Sequence, residues 1–241
     1  MRIVIVLPTY NEKDNIRPLI DSLQRQFAVI PHEMSILVAD DESPDGTAAA
    51  VREAMKEYSN LHLVSGKKAG LGTAYVRGMK YALDALGAEA VMQMDADFSH
   101  KVEDVPCLIA VLDEGADFVI GSRYVQGGKI PDNWGFVRVL MSRWGNRCAR
   151  HIAGLSPVRD CTAGFRVIRA SLLRGFNLDE LKVQGYAFIV VLLSKAVYAH
   201  AIVKEVPVEF VDRARGTSKL GIRDLWEFFL NVWRIRFTRS T

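Results

Sequence analysis

The stretch that most constrains the fold of this chain is a buried strand that runs directly into two acids. Residues 91–94 are mostly apolar, which predicts a strand covered on both faces, and Asp95 and Asp97 follow it two positions apart. In an open α/β sheet, ligands bind in the crevice beyond the carboxyl ends of the strands. We therefore expect a divalent cation at these acids, bridging to a phosphate-bearing ligand. The alternative is that one acid caps the next helix, which leaves the other acid unexplained.

Strands alternate with helices through the first half of the chain. Apolar and β-branched runs predict the strands, and apolar residues at helical spacing predict a helix after each of the first four. The predicted strands span 2–7, 34–39, 61–64, 91–94 and 118–120. This alternation is typical of βαβ units, and it predicts an α/β domain with a mostly parallel central sheet flanked by helices.

Composition argues against several other classes of protein. With 241 residues, 49% of them hydrophobic, the chain can bury the core of one large domain. The 31 lysines and arginines barely exceed the 28 acids, so we expect no nucleic-acid partner. Three widely spaced cysteines suggest neither a disulfide framework nor a zinc site. No apolar run approaches the roughly 18 residues of a membrane span, so we expect neither a signal peptide nor a transmembrane helix.

Polar side chains collect where the predicted strands end. They are Tyr10 and Glu12 after the first strand, Asp40 and Asp41 after the second, Lys67 and Lys68 after the third, Asp95 and Asp97 after the fourth, and Arg123 after the fifth. Singly, each is explained as well by solvation or capping. Together they offer a ring for stacking, acids for hydroxyls and a metal, and cations for phosphates, which indicates nucleotide binding. The glycine pattern of dinucleotide-binding folds and the P-loop lysine motif are both missing, which argues against dehydrogenases and P-loop enzymes.

These strand-end segments, with two later ones, also resemble the motifs of a known family. In chain order the segments are PTYNE at 8–12, DDESPDGT at 40–47, DAD at 95–97, GSRY at 121–124, DCTAGFR at 160–166 and RARGTSK at 213–219. Together they resemble the dolichol-phosphate mannose synthase group of family 2 glycosyltransferases, over nearly the whole chain and in the same order. The resemblance implies a single Rossmann-like fold of the glycosyltransferase A type over 1–220. The pattern of the remaining residues, described below, predicts an amphipathic, membrane-associating segment over 221–241.

The resemblance implies an activity as well as a fold. The activity is inverting transfer of mannose from GDP-mannose to dolichyl or polyprenyl monophosphate, which supplies glycan or glycolipid assembly. UDP-glucose or another nucleotide sugar is the alternative donor, and a non-catalytic membrane-binding module that keeps the fold is the alternative of another class. A lipid monophosphate is largely dianionic at neutral pH, with a second pKa of about 6, so it needs no general base. Direct displacement by this phosphate would invert the anomeric carbon.

The resemblance further implies roles for individual residues. Asp97 would bind Mg²⁺ or Mn²⁺ directly with Asp95 nearby. Ser99, the third candidate ligand, stands where some members carry glutamine, which leaves the preferred metal open. The nucleotide sugar would meet Pro8, Tyr10, Glu12, Val38, Asp40, Asp41, Lys68, Asp95, Ala96, Asp97, Arg213 and Lys219. The acceptor phosphate would meet Arg123, Arg143 and Ser218. The catalytic set would be Asp97, Arg123, Arg213 and Lys219.

The second half of the chain contains a basic, amphipathic segment. No acidic residue occurs from 134 to 159, where arginines share one face of a predicted helix and apolar residues share another. The arginines are Arg143, Arg147 and Arg150, and the apolar residues are Val137, Leu140, Trp144 and Cys148. Either this helix docks on the sheet with a solvated arginine face, or it binds a membrane surface or a lipid phosphate.

The C-terminal stretch 221–237 has a second amphipathic pattern. Its apolar arc consists of Ile222, Leu225, Phe229, Leu230, Trp233 and Phe237. Polar residues on nearly every turn favour a helix that lies in the membrane surface over one that spans it. The alternative is packing on the catalytic domain or on a second subunit. We expect a peripheral protein on the cytoplasmic face of a membrane, the endoplasmic reticulum in a eukaryote or the plasma membrane in a prokaryote, with small membrane-protein subunits or a second copy as further partners.

Overall fold

The computed structural model describes residues 1–181, 187–212 and 233. In these residues, seven strands and seven α-helices follow one another along the chain. The strands are β1 Arg2–Thr9, β2 Glu33–Asp40, β3 Leu61–Ser65, β4 Ala90–Gln93, β5 Phe118–Ser122, β6 Arg166–Arg169 and β7 Val203–Pro207. The helices are α1 Lys13–Phe27, α2 Thr47–Ala54, α3 Leu71–Asp84, α4 Val105–Asp113, α5 Phe136–Ile152, α6 Ala170–Arg174 and α7 Ala187–Tyr198.

The strands form one twisted layer in the order β3-β2-β1-β4-β6-β5-β7. The four strands from β3 to β4 are parallel, and β5 is parallel to β7. Only β6 among these strands runs antiparallel to its neighbours, β4 and β5. The predicted α/β domain with a mostly parallel sheet is therefore confirmed.

Strand β1 lies between β2 and β4 in the layer and is buried on both faces. Ile3, Ile5 and Leu7 pack in the cluster that contains α1, α2 and α4, whereas Val4 and Val6 pack in the cluster that contains α3, α5 and α7. The alternation follows from the two-residue period of a strand, and it explains why the sequence reads as a continuous apolar run.

Helix α3 lies unusually close to β1 on the second of these faces. A Cβ atom at Gly78 would lie 2.4 Å from Cγ1 of Val6 and 3.4 Å from Cβ of Ala39. Glycine therefore permits an approach of helix to sheet that any larger side chain would prevent. This packing fixes the helix that supplies Tyr75 and Arg77 to the site described below.

Helix α5 packs on the domain through a face that includes Asn146 and Ala149. Asn146 and Ala149 are buried, and Asn146 Oδ1 accepts a hydrogen bond of 2.7 Å from the backbone N–H of Cys161. Leu140 and Trp144 leave 54% and 56% of their surfaces exposed. Of the two interpretations of this helix, docking on the sheet therefore does not describe Leu140 and Trp144, and binding to a membrane surface or a lipid phosphate stays a prediction. Amphipathicity reveals that a helix has two faces, but the neighbouring surface decides which of them it buries.

The described helices do not include one that is both long enough and apolar enough to cross a membrane. The expected C-terminal amphipathic helix and the boundary at residue 220 lie outside the described residues, except for Trp233, which is helical and 55% exposed.

Candidate active site

The carboxyl ends of β2, β1 and β4 meet at one edge of the sheet, because the three strands are parallel neighbours. This edge gathers the loops that begin after Thr9, Asp40 and Gln93. The loop after β3 reaches the same place, since Nζ of Lys68 lies 3.5 Å from the centroid of the Tyr10 ring. A cation over an aromatic face is attractive, so the two predicted nucleotide-contacting side chains already hold each other in place.

Asp40 and Val38, two predicted contacts from β2, are both engaged within the protein. The fully buried Asp40 carboxylate accepts hydrogen bonds from Thr9 Oγ1 at 2.9 Å, from the backbone N–H of Ser43 at 2.9 Å and from Ser43 Oγ at 2.6 Å. It ties β1 to the turn after β2, and its contact with a nucleoside stays a prediction. The Val38 side chain is fully buried in the core, and the contact of this residue with the nucleotide sugar stays a prediction.

Asp41 forms an ion pair that the sequence did not predict. Arg77 Nη2, from α3, donates to Asp41 Oδ1 at 2.6 Å and also to the backbone carbonyl of Asp40 at 3.1 Å. Both side chains are largely buried, with 18% and 7% of their surfaces exposed. The only sequence signal for Arg77 was a charge between the buried residues Val76 and Gly78 of α3.

Glu12 lies between β1 and α1 and is joined to the loop that leads into α2. Its backbone N–H donates to Thr47 Oγ1 at 3.0 Å, and its Oε2 accepts from Asn15 Nδ2 at 2.7 Å. Asp45 accepts from both the N–H and the hydroxyl of Thr47, at 2.9 and 2.6 Å. The loop after β1 is therefore braced against the loop after β2. Pro8, another predicted nucleotide contact, is partly exposed near the end of β1.

Asp97 is almost completely buried and has a fixed orientation. Its Oδ1 accepts hydrogen bonds from the backbone N–H of Ser99 at 3.0 Å and from Ser99 Oγ at 2.5 Å. Ser99 was expected to be a further metal ligand; the contact observed is with the Asp97 carboxylate, so direct coordination by Ser99 stays a prediction. Ala96, between the two acids, is buried.

Asp95 is held from the opposite side by α3. Tyr75 Oη donates to Asp95 Oδ1 at 3.2 Å, and the Tyr75 ring stacks on Phe188 with centroids 5.6 Å apart. Burial, followed by the negative charge of Asp95, raises the pKa of Tyr75 well above its usual value. The phenol therefore remains a hydrogen-bond donor at every physiological pH.

Arg123 forms a buried ion pair with Asp160. Its Nε and Nη2 donate to the two oxygens of Asp160 at 2.8 Å each, and Nη2 also donates to Thr162 Oγ1 at 3.0 Å. Burial alone would raise the pKa of Asp160, but the charge and hydrogen bonds of Arg123 hold it below its usual value. Sequence reasoning assigned Arg123 to the acceptor phosphate and gave Asp160 no role; the phosphate contact stays a prediction.

The remaining predicted residues fall into two groups. Arg143 is on α5 and is exposed to solvent. Arg213, Ser218 and Lys219 lie outside the described residues.

Residues 4–176 match the family model of glycosyl transferase family 2. The chain belongs to this family. It is 38% identical to polyprenol monophosphomannose synthase of Mycolicibacterium smegmatis, over 98% of this chain and 88% of that protein. It is also 38% identical to undecaprenyl-phosphate mannosyltransferase of Micrococcus luteus, over 97% and 93%. Identity to dolichol-phosphate mannosyltransferase of Pyrococcus furiosus is 33%, over 98% of this chain and 64% of that protein.

The fold of this family 2 glycosyltransferase is shared with a solved enzyme. Glucosyl-3-phosphoglycerate synthase from Mycobacterium tuberculosis, in a complex with Mn²⁺, UDP and glucosyl-3-phosphoglycerate, superposes with a TM-score of 0.68 over 99% of this chain and 79% of that one. At 20% sequence identity the likeness concerns the fold, and it confirms the expected glycosyltransferase A type.

The buried pair of Arg123 and Asp160 predicts a pH-dependent contribution to stability. Asp160→Asn leaves the guanidinium without its counter-charge, so we expect the free energy of unfolding at pH 7 to fall by about 3–5 kcal/mol. Because the folded pKa of Asp160 lies below the unfolded value of about 3.9, the ionised carboxylate stabilises the fold above that pH and loses its effect as the pH falls towards the folded pKa.

Urea unfolding of wild type and Asp160→Asn at pH 7 and pH 3 measures this contribution. The stability difference between the two proteins should narrow at pH 3. Glu53→Gln, which breaks an exposed pair with Lys56, is the matched control and should leave the unfolding midpoint unchanged. An equal difference at both pH values would contradict the assignment.

Proposed function

We propose that this glycosyltransferase transfers mannose from GDP-mannose to a dolichyl or polyprenyl monophosphate, with inversion at the anomeric carbon. The observation that supports it most is the pair Asp95 and Asp97 at the end of β4, each oriented by a hydrogen bond from another residue. The names of the relatives support mannose as the sugar and polyprenyl phosphate as the acceptor. The guanosine diphosphate carrier is part of the proposal.

The donor set at Asp95 and Asp97 fits Mg²⁺ or Mn²⁺. Both ions favour carboxylate oxygens, and Mg²⁺ in particular is commonly held by one or two carboxylates together with substrate phosphates and water. In the described part of the chain, no group of three or more histidine, cysteine, aspartate or glutamate side chains is arranged to hold a metal ion. Two protein carboxylates are therefore suited to a cation completed by the diphosphate. When bound, the ion neutralises the departing diphosphate.

The rest of the strand-end edge would bind the nucleoside. The Lys68 cation lies over one face of the Tyr10 ring, where it would meet a phosphate, and stacking of the base would use the other face of the ring. Asp41, fixed by Arg77, offers a carboxylate for the ribose hydroxyls or the base. These groups lie beyond the parallel strands β1, β2 and β3, where nucleotides bind in open α/β sheets.

The acceptor phosphate would act as the nucleophile without help from a base. Asp160 is poorly suited to proton transfer, because its pKa is held below the usual value and its oxygens are occupied by Arg123. A dianionic phosphate needs positive charge to approach a diphosphate. We assign this role to Arg123, Arg143, Arg213 and Lys219, and we assign to the Ser218 hydroxyl a hydrogen bond to the phosphate.

The exposed apolar side chains of α5 support contact with the membrane that holds the acceptor. Phe136, Leu140, Met141 and Trp144, called here the α5 stripe, leave between 42% and 80% of their surfaces exposed. Arginines flank this stripe, and no acidic residue occurs from 134 to 159, as suits anionic lipid headgroups. We propose that α5 lies in the cytoplasmic surface of the membrane, with 221–241 as a second contact.

A donor panel tests the activity. The protein is incubated with Mn²⁺, a short polyprenyl phosphate, and GDP-mannose, UDP-glucose or another nucleotide sugar, and donor consumption is measured. We expect GDP-mannose to be consumed. Asp97→Asn should remain folded but lose turnover by about 1,000-fold, because its metal contact is worth several kcal/mol.

Asp113→Asn is the matched control for that variant, since it removes a carboxylate paired with His32 away from the site. It should retain full turnover. Consumption of a different donor would overturn the assignment of mannose, and normal turnover by a folded Asp97→Asn variant would overturn the metal site.

Replacement of Leu140 and Trp144 together by serine tests the membrane contact. Removing two apolar side chains from a lipid surface should lower binding to anionic liposomes by at least about 10-fold. The melting temperature and the turnover of a short soluble acceptor should change little, because neither side chain is buried in the domain.

Liposome flotation measures the effect, with Val29→Ser as the matched control, because Val29 is an exposed apolar residue between α1 and β2. Unchanged flotation of the double variant, or loss of a dimer in place of loss of lipid binding, would show that the α5 stripe does not contact the membrane.

A further inference from the structure

His100 is a buried polar side chain that the reaction outlined above does not use. It lies three residues after Asp97, and only 5% of its surface is exposed. Its Nε2 is 3.4 Å from Asp95 Oδ2, but the alignment is not that of a hydrogen bond, and Nε2 has no hydrogen-bond partner among the residues that the structure describes. Buried polar atoms without partners are uncommon, so this one requires an explanation.

The ring of His100 is held between two aromatic side chains. It stacks on Phe165 with centroids 5.0 Å apart and an interplanar angle of 21°, and it meets Phe210 edge-on at 5.4 Å. The backbones of His100 and Phe210 form an isolated antiparallel bridge, next to which the N–H of Val211 donates to the carbonyl of Ser99 at 3.0 Å. The ring therefore has little freedom, and its Nε2 is held 3.4 Å from Asp95 Oδ2.

Asp95 thus has a polar group beside each of its oxygens. Tyr75 Oη donates to Oδ1, and His100 Nε2 lies near Oδ2. A small rotation of the carboxylate would align Oδ2 with Nε2 for a hydrogen bond. Donors behind a metal-binding carboxylate fix its orientation and raise the affinity for the metal.

Phe210 links this arrangement to the opposite side of the site. Its ring packs edge-on against Trp134 at 5.8 Å, and the Arg123 guanidinium lies 5.5 Å from its centroid. Trp134 Nε1 in turn donates to Asp212 Oδ1 at 2.9 Å. Asp212 immediately precedes the segment 213–219, which contains Arg213 and Lys219, two of the cations proposed above for the acceptor phosphate.

We infer that His100 is a positioning residue that orients Asp95 for the divalent ion. We also infer that the position of the His100 ring depends, through Phe210, on the residues proposed to bind the acceptor phosphate. This inference rests on the proposed metal site at Asp95 and Asp97. Under it, binding of Mn²⁺ with nucleotide depends on a ring that touches neither the metal nor the nucleotide. Because Phe210 packs between His100 and Trp134, a substitution near Trp134 or Arg123 should also change the affinity for Mn²⁺.

Mn²⁺ binding in the presence of GDP tests the inference without reference to turnover. The free Mn²⁺ signal in electron paramagnetic resonance gives the dissociation constant for wild type and for His100→Phe, which keeps an aromatic ring but lacks Nε2. We expect the dissociation constant to rise by about 10-fold in His100→Phe, with little change in melting temperature. Phe210→Leu should raise it in the same direction by a smaller factor.

Two further variants separate orientation from general structural damage. His100→Gln, whose amide can donate to Asp95, should restore part of the lost affinity. His32→Phe removes the other histidine that meets an aspartate, Asp113, and should leave Mn²⁺ binding unchanged.

The outcomes of these binding measurements distinguish failure of the inference about His100 from failure of the proposed function. Wild-type affinity in His100→Phe would overturn the inference while leaving the proposed function intact. A switch of metal preference from Mn²⁺ to Mg²⁺ in His100→Phe would also overturn it, because that would make His100 a direct ligand. Failure of the wild type to bind Mn²⁺ with GDP would count against the proposed function itself.

Discussion

The parallel pairing of β1 with β2 on one side and β4 on the other is the constraint on which the rest of the molecule depends. It requires β1 to be apolar on both faces, and it requires crossover helices to cover those faces. It also places three strand ends side by side. Residues that are more than 80 positions apart in sequence therefore meet at one edge, where α/β sheets bind their ligands.

That edge is organised before any ligand arrives. Asp40, Asp97 and Asp160 each accept at least two hydrogen bonds, and Asp95 is held by Tyr75. Fixed carboxylates lose little conformational freedom when a cation binds, which is the physical basis of preorganised catalysis. The same arrangement separates their roles. Asp160 balances Arg123 within the protein, whereas Asp95 and Asp97 are the acids proposed for the metal.

The features predicted correctly from sequence were those with a local signal. Continuous apolar runs located β1, β2, β3, β4 and β5 to within two residues at each end. The strand β6 was not predicted, because four residues are too few to show the alternation of a strand. Its antiparallel direction depends on the path of the chain between β5 and β6, which no local pattern reveals. The clustering of Tyr10 with Lys68, and the position of Asp95 and Asp97, were predicted because each residue follows a strand of a parallel sheet, whose carboxyl ends meet at one edge.

The features missed were those made by distant partners. The ion pair of Asp41 with Arg77 joins residues 36 positions apart, and that of Arg123 with Asp160 joins residues 37 positions apart. No sequence spacing predicts contacts between residues so far apart along the chain. Val38 was also expected to contact the nucleotide sugar; its side chain packs in the core, and the contact stays a prediction. The face of α5 that docks was likewise decided by Asn146 and Ala149, and not by hydrophobicity.

The central claim is that a phosphate dianion displaces the nucleotide directly at a metal site formed by Asp95 and Asp97. The anomeric configuration of the product tests it most directly. The protein is supplied with Mn²⁺, α-linked GDP-mannose and a short polyprenyl phosphate, and the one-bond carbon–proton coupling at the anomeric centre of the product is measured by nuclear magnetic resonance. The account predicts a β-linked mannosyl phosphate. An α-linked product, or release of free mannose in place of the lipid phosphate sugar, would contradict it.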